Sequence, residues 1–299
     1  MWTNLLLYAK AKHMIITFLG TSGVNAFPEA FCKCNNCEQA RLLGGASLRK
    51  RSSLLINDDL LIDLGPDIMA ASQIHNSSLC NIKYCIQTHP HADHLDLSHF
   101  LSRSPDLGVI GAPCLNFYAS HETLQRAALT FESELSGSSL LSLDTQKHLN
   151  LKLYSVEPFQ SFKLGHYRVT AFPANHAPTM GALLYAIKSK NGCIFYGTDT
   201  GILPDQVWQG FHKHNMRFDV VILDHTYGFN PPGADHLNAD QFIEHITRMR
   251  DEGLLTQNAR VFATHIAHAG NPPHPALAAF AKQHGYEVAY DGLRLEIPA

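Results

Sequence analysis

Short apolar runs recur along the chain, each closed by turn-forming or polar residues. Between several of them lie stretches with apolar residues three and four apart. The runs at 14–19, 53–56, 60–64, 82–87, 109–111, 151–156, 167–172, 182–187, 193–197, 220–223 and 261–263 predict β-strands. Asn57-Asp58-Asp59 predicts a hairpin joining the second and third of these. Helical spacing appears at 66–74, 121–131, 205–212, 238–250 and 275–284, with Asn238 placed as an N-cap. Strands outnumber helices and fall into two batches punctuated by helices. That pattern predicts an α/β fold with two mixed sheets packed face to face and helices outside.

No internal repeat or low-complexity stretch divides the chain. The serine-rich segment 133–142 reads as linker-like, and 230–235 and 269–274 read as loops. None is long enough to separate independent units, so residues 14–299 are expected to form one domain. Residues 1–13 are expected to be a disordered or loosely packed extension. Their run Leu5-Leu6-Leu7-Tyr8 is too short for a signal segment, and the lysines follow it. A cytoplasmic location is the expectation.

Composition narrows the chemistry. Of 299 residues, 45% are apolar, enough for a real core, and 16% are charged. Lys and Arg number 23 against 26 Asp and Glu, a net charge of -3 that gives no footprint for a stable nucleic-acid partner. No apolar run approaches the roughly 18 residues of a membrane span. Histidine is the outlier, with 19 copies, and it is the commonest metal ligand.

The histidines concentrate in Thr88-His89-Pro90-His91-Ala92-Asp93-His94, just past an expected strand end. Imidazole and carboxylate suit zinc and related divalent ions. Four such groups exceed what one open catalytic ion takes from a single segment, so two adjacent ions are expected. Further candidates follow other strands: His176, Asp199 and His265. A lone histidine at a strand end is more often an ordinary surface or core residue. The dense cluster is what gives these three their weight.

Cys32, Cys34 and Cys37 form C-x-C-x2-C after the first strand. Three thiolates and a fourth ligand make a closed structural zinc site, and His268, three residues beyond His265, is the candidate fourth. A disulfide within C-x-C would be strained. Cys80, Cys85, Cys114 and Cys193 read as small buried apolar residues.

These motifs resemble the metallo-β-lactamase superfamily, whose hallmark is H-x-H-x-D-H. The resemblance runs from Met14 to the C-terminus and implies an αββα four-layer sandwich with a binuclear site at one edge of the sheets. It assigns His89, His91 and His176 to one ion, Asp93, His94 and His265 to the other, and Asp199 to a bridge. It gives Asp63 the task of accepting a hydrogen bond from a ligand imidazole. The cysteine knot with His268 narrows the resemblance to the cyclic-phosphate phosphodiesterases of the carbon–phosphorus lyase pathway.

The resemblance implies a metal-dependent phosphoric diester hydrolase acting on a small cyclic phosphate, such as a ribosyl or nucleoside cyclic phosphate. Zinc or manganese would fill the two catalytic positions and a structural zinc the knot. Metal binding lowers the pKa of water from about 15.7 to about 7, roughly 12 kcal/mol of hydroxide stabilisation. A lone general base supplies only about 3–5 kcal/mol, so metal-held hydroxide is the expected nucleophile. His236, oriented by Asp224, is the candidate general acid, with His225 and His274 as rivals. This pair resembles that of the tRNA 3′-processing endonucleases. Arg49-Lys50-Arg51 reads either as a contact for a second phosphate or as a solvated face, and Asn175 and Thr179 as weaker phosphate contacts. Alternative functions are tRNA 3′ processing, lactone or thioester hydrolysis, and the oxidative chemistry of pyrroloquinoline quinone biosynthesis protein B, which generally lacks the complete histidine loop. A non-catalytic metal protein is the least favoured reading. A homodimer fits the family.

Overall fold

The computed structural model describes residues 13–298, so the expectation for 1–13 falls outside it except for His13, the first residue of a strand. Among the described residues there are fourteen strands: β1 (His13–Gly20), β2 (Ser53–Ile56), β3 (Leu60–Ile62), β4 (Tyr84–Ile86), β5 (Leu115–Ala119), β6 (Leu151–Ser155), β7 (Ser161–Leu164), β8 (Tyr167–Pro173), β9 (Leu183–Ser189), β10 (Gly192–Gly197), β11 (Phe218–Asp224), β12 (Leu255–Thr264), β13 (Glu287–Val288) and β14 (Arg294–Pro298). The helices are α1 (Asn35–Leu43), α2 (Ile68–Ile74), α3 (Ser98–Ser102), α4 (His121–Thr130), α5 (Leu143–His148), α6 (Asp205–Lys213), α7 (Ala239–Asp251) and α8 (His274–Gln283).

The strands form two seven-stranded mixed sheets, ordered β14-β1-β2-β3-β4-β5-β6 and β13-β12-β11-β10-β9-β8-β7. Side chains alternate across each sheet, and both faces are covered. Along β10 and β11, Ile194, Tyr196, Val220 and Ile222 enter the core between the sheets, where Ile16, Phe18, Leu54 and Ile56 meet them. Phe195, Val221 and Leu223 point outward and are covered by α6 and α7 through Trp208, Phe211, Phe242 and Ile246. On the other side Leu55, Leu61 and Phe117 are covered by Ile68, Phe100 and Leu124. The result is an αββα sandwich with apolar cores between all four layers.

The hairpin at 57–59 pairs Leu54 with Ile62. Asn238 caps α7 in a reciprocal capping box with Gln241. The run 109–111 is not a strand. It lies between Gly108 and Gly111, whose φ values of 82° and 76° break extended backbone, and Ile110 is 96% exposed. The strand is instead β5, where buried Leu115, Phe117 and Ala119 alternate with half-buried Asn116 and Tyr118, so that Asn116 breaks any continuous apolar run. Of the scattered cysteines, Cys85 and Cys193 are buried, but Cys80 is exposed and Cys114 half-buried. No described helix is long and apolar enough to cross a membrane.

Parallel pairing of β3 with β4, and of β10, β11 and β12 with one another, brings their carboxyl ends to one edge. Such edges hold the ligand sites of α/β sheets. Asp63, the 88–94 loop, Asp199 and His265 follow strands that end there, and Asp224 is the last residue of β11.

Candidate metal centre

Asp63, Asp199 and His265 each turn out of a strand with φ of 65°, 52° and 57°. Non-glycine residues rarely adopt this left-handed backbone, and it gathers at functional sites. The turns aim all three side chains into the sheet edge, where they meet the 88–94 loop.

Two groups of ligand-type atoms converge there. In the first, His91 Nδ1 lies 2.8 Å from His89 Nε2 and 3.3 Å from His176 Nε2. In the second, His94 Nε2 lies 3.2 Å from Asp93 Oδ2 and 3.3 Å from His265 Nε2, with His265 Nε2 3.6 Å from Asp93. Asp199 stands between them. Its Oδ2 is 2.5 Å from His94 Nε2 and 3.1 Å from His265 Nε2, and its Oδ1 is 3.8 Å from His176 Nε2. Atoms bound tetrahedrally at about 2.0–2.1 Å from one ion lie roughly 3.3–3.5 Å apart, close to these spacings.

The outer nitrogens fix which way the lone pairs point. His94 Nδ1 donates to Asp63 Oδ2 at 2.8 Å. His176 Nδ1 donates to the Asp235 carbonyl at 3.2 Å. Thr88 Oγ1 donates to Asp63, so it accepts from His89 Nδ1 at 3.0 Å. Thr226 Oγ1 donates to Asp224, so it accepts from His265 Nδ1 at 2.7 Å. Each of these imidazoles therefore directs Nε2, the nitrogen left to ligate, toward the others, and buried Asp199 Oδ2 has no hydrogen bond of good geometry. Converging imidazole nitrogens with a buried carboxylate are a donor set that a divalent cation satisfies once it displaces their protons.

The electrostatics agree. Burial works against charge on His94, but Asp199, Asp93 and Asp63 outweigh it and hold its pKa far above the usual histidine range. His265, likewise opposed by burial, is raised to about 10, chiefly by Asp199. Burial would raise Asp199, yet His265 and His94 hold it far below the carboxylate range. Protons on Nε2 of His94 and His265 balance the carboxylates, a place that a bound cation would take. Burial, with His94 nearby, keeps His89 neutral.

Beside this group His236 Nδ1 donates to Asp224 Oδ2 at 3.0 Å. Asp224 is fully buried and also accepts from the backbone of Asp199, Thr226 and Leu237. Burial lowers the pKa of His236, but Asp224 more than offsets this, and the net shift is upward. The other two histidines are placed elsewhere. His225 is buried between Asn271 and Tyr286, and His274 accepts from Arg49 Nη2. Only His236 of the three lines the cavity over the site, a space of about 480 Å³.

Cys32, Cys34, Cys37 and His268 also converge, with Cys34 Sγ 3.5 Å from His268 Nδ1 and Asn36 Nδ2 donating to the His268 carbonyl. Burial opposes ionisation of Cys34. Hydrogen bonds from the Cys37 backbone and from His268 and Cys32 outweigh it and lower the thiol to about 6. Burial pushes Cys37 up to about 12, with Cys34 and Cys32 adding to the rise. One thiolate beside the Cys37 thiol, which resists ionisation, marks a cluster short of positive charge, as zinc would supply.

Sequence reasoning missed the residues that hold these groups in place. Gln87 donates through Nε2 to Asp63 Oδ1 and to the carbonyls of His89 and His94, clamping both ends of the loop. Thr88, Thr226 and the Asp235 carbonyl orient ligand-type imidazoles. Gly23 packs so closely that a Cβ there would stand 3.0 Å from the His265 ring. The basic run is not a phosphate contact or a free solvated face. Arg49 is buried against Thr21, the Ala289 carbonyl and His274, Lys50 pairs with Asp291, and Arg51 pairs with Asp67. Asn175 is used by the Ile202 and Ala234 carbonyls, and Thr179 is exposed outside the cavity lining.

Among known proteins, the Coenzyme PQQ synthesis protein B of Cupriavidus necator (strain H16) is 23% identical, over 94% of this chain and 99% of its own. A new diphosphatase from the PhnP family shares the fold with a TM-score of 0.71 at 22% identity, covering 94% of this chain and 97% of that one. Zn2+-bound PqqB from Methylobacterium extorquens gives 0.63 at 16% identity, covering 94% and 99%. The family described as Beta-lactamase superfamily domain matches residues 59–266, so the chain belongs to the metallo-β-lactamase superfamily and resembles its PhnP branch.

Proposed function

We propose that this protein is a binuclear metal-dependent phosphodiesterase for small cyclic phosphates of the ribosyl or nucleoside type. The observation that carries the reading is Asp199, whose two carboxylate oxygens face two separate ligand groups, with the His236–Asp224 pair beside them. His89, His91 and His176 would hold one ion, Asp93, His94 and His265 the other, and Asp199 both. Bound divalent ions acidify a water and polarise a phosphate oxygen.

The remaining work belongs to the chain. Asp63, Thr88, Thr226 and the Asp235 carbonyl keep the ligand imidazoles in one tautomer, so their lone pairs meet the ions without rearrangement. The covered sheet edge excludes bulk water beneath the cavity. His236 holds Nδ1–H on Asp224, which leaves Nε2 to carry a proton for the departing alkoxide. Asp224 favours the protonated ring, as the upward shift of His236 indicates. In the knot, Cys32, Cys34, Cys37 and His268 would hold a structural zinc that ties α1 to the loop after His265.

The complete H-x-H-x-D-H loop favours hydrolysis over the quinone-type reading, and the nearly balanced charge disfavours tRNA. Hydrolysis of a chromogenic phosphodiester and of a nucleoside 2′,3′-cyclic phosphate by metal-replete protein tests the proposal. Lactone hydrolysis without phosphodiester hydrolysis would overturn it.

A further inference from the structure

The loop that carries His236 is exposed, and a loop holds a reacting group less precisely than a helix or strand does. It runs from the end of β11 at Asp224 to the start of α7 at Ala239, and residues 229–235 are exposed apart from half-buried Gly233. Backbone bonds close its base, with Tyr227 N donating to the Leu237 carbonyl at 3.0 Å and Ala239 N to the Gly228 carbonyl at 2.8 Å. Among the described residues, no backbone–backbone bond reaches the tip, 231–236.

Two groups of the site sit side by side at that tip. The Asp235 carbonyl accepts from His176 Nδ1 at 3.2 Å, and the next residue, His236, donates from Nδ1 to Asp224 at 3.0 Å. The peptide between Asp235 and His236 therefore joins the partner of a ligand-type imidazole to the candidate acid, and a shift of that one unit moves both. Apart from these two histidines, side chains tie the tip at two points among the described residues. Asn175 Nδ2 donates to the Ala234 carbonyl at 3.2 Å, and the Tyr227 hydroxyl donates to Asp235 Oδ1 at 2.5 Å.

The second tie is built to hold. A hydroxyl on a carboxylate at this spacing is a charge-assisted hydrogen bond, about twice as strong as a neutral one. The bond to Asp235 pushes the phenol up to about 12, so it keeps its proton at neutral pH. The Tyr227 ring stands edge-on to the His236 ring, with centroids 5.4 Å apart at 79°. Gly233 folds onto the same tyrosine so closely that a Cβ there would overlap the ring. Tyr227 is itself anchored: it follows buried Thr226, and a Cβ at Gly270 would overlap its carbonyl.

We propose that Tyr227 is a positioning residue: its phenol, by holding the Asp235 carboxylate, fixes the peptide unit that at once orients His176 and carries His236. An exposed aspartate, far from any ligand role of its own, thereby keeps a proposed metal ligand and a proposed proton donor in register. The part that concerns His236 rests on the phosphodiesterase reading. The part that concerns His176 rests on the metal centre alone.

The test is Tyr227→Phe, which removes the hydroxyl and keeps the ring, in the full chain. Calorimetric titration of chelator-treated protein with zinc should show sheet-edge binding weakened roughly 3–10-fold, less than the about 10–100-fold for losing a ligand's own partner. At saturating zinc, kcat on a ribosyl cyclic diester should fall roughly 3–10-fold with KM unchanged, the range for one charge-assisted contact at a partly exposed site. A diester with a phenolate leaving group should keep its kcat. The urea midpoint should match that of wild type. Gly233→Ala, which drives the loop off the ring while leaving the hydroxyl in place, should reproduce both losses. In an Asp235→Ala background, Tyr227→Phe should have no further effect, because the two side chains make one contact. Additive losses in that double variant, or unchanged zinc affinity and kcat in Tyr227→Phe, would overturn the proposal. Equal kcat losses on both diesters with a lowered urea midpoint would mark a purely structural role and overturn it as well. Turnover of neither diester by wild type would overturn the phosphodiesterase reading, and zinc affinity would still decide the role of Tyr227.

Discussion

The Thr226 hydroxyl lies 2.7 Å from His265 Nδ1 and, because its proton is given to Asp224, it can only accept from that nitrogen. One side chain thereby sets the tautomer of a proposed metal ligand and joins it to the carboxylate that holds His236. The expected consequence is that Thr226→Val weakens metal binding without disturbing the fold. Losing such a partner costs about 10–100-fold in metal affinity. Thr226→Ser should restore it. Titration of the chelator-treated protein with zinc, followed by calorimetry, reads the difference. Unchanged affinity in the valine variant would remove Thr226 from the site.

His236 and Asp224 are expected to act on the leaving group. With a phosphodiester whose leaving group is a stable phenolate, His236→Ala should lose little turnover. With a ribosyl cyclic diester, whose alkoxide needs a proton, kcat should fall about 10²–10⁴-fold. Metal content should stay that of wild type. Asp224→Asn should show the same leaving-group dependence. Equal losses on both substrates would count against proton donation by His236.

Both predictions draw on residues that the sequence revealed unevenly. The 88–94 loop was legible because four ligand-type side chains occur within a few residues, and the strand runs were legible because both sheet faces are buried. Thr226 and Gln87 were not. Threonine and glutamine are common near strand ends, and only the folded chain shows that their hydroxyl and amide face ligand-type imidazoles and the carbonyls of that loop. The basic run at 49–51 read as accessible charge because burial is invisible in a charge count. The short run at 109–111 read as a strand although no neighbour pairs with it, while β5 was hidden by Asn116.

Acid should destabilise the protein through His274. Burial, with Arg49 beside it, lowers this histidine to about 4, because it must stay neutral to accept from Arg49 Nη2. Between pH ~6.5 and the folded value the unfolded chain takes up a proton that the native chain refuses. The stability contribution is therefore complete above about pH 6.5 and falls as the pH drops toward 4. Allowing for partial exposure of the ring, the loss is at most about 2 kcal/mol. Urea midpoints of chelator-treated protein at neutral and acidic pH measure it. His274→Gln keeps an acceptor without a titrating group, and its midpoint should fall less on acidification than that of wild type. Parallel curves would refute this assignment.

The central claim is tested most directly by counting metal ions per chain in purified, metal-replete protein by elemental analysis, alongside Asp199→Ala and Cys34→Ser. Wild type should hold about three ions, two at the sheet edge and one in the cysteine knot. Asp199→Ala should lose ions from the sheet edge alone, and Cys34→Ser should lose about one ion. A wild-type chain that binds no ion, or an Asp199→Ala chain that keeps the full complement, would contradict it.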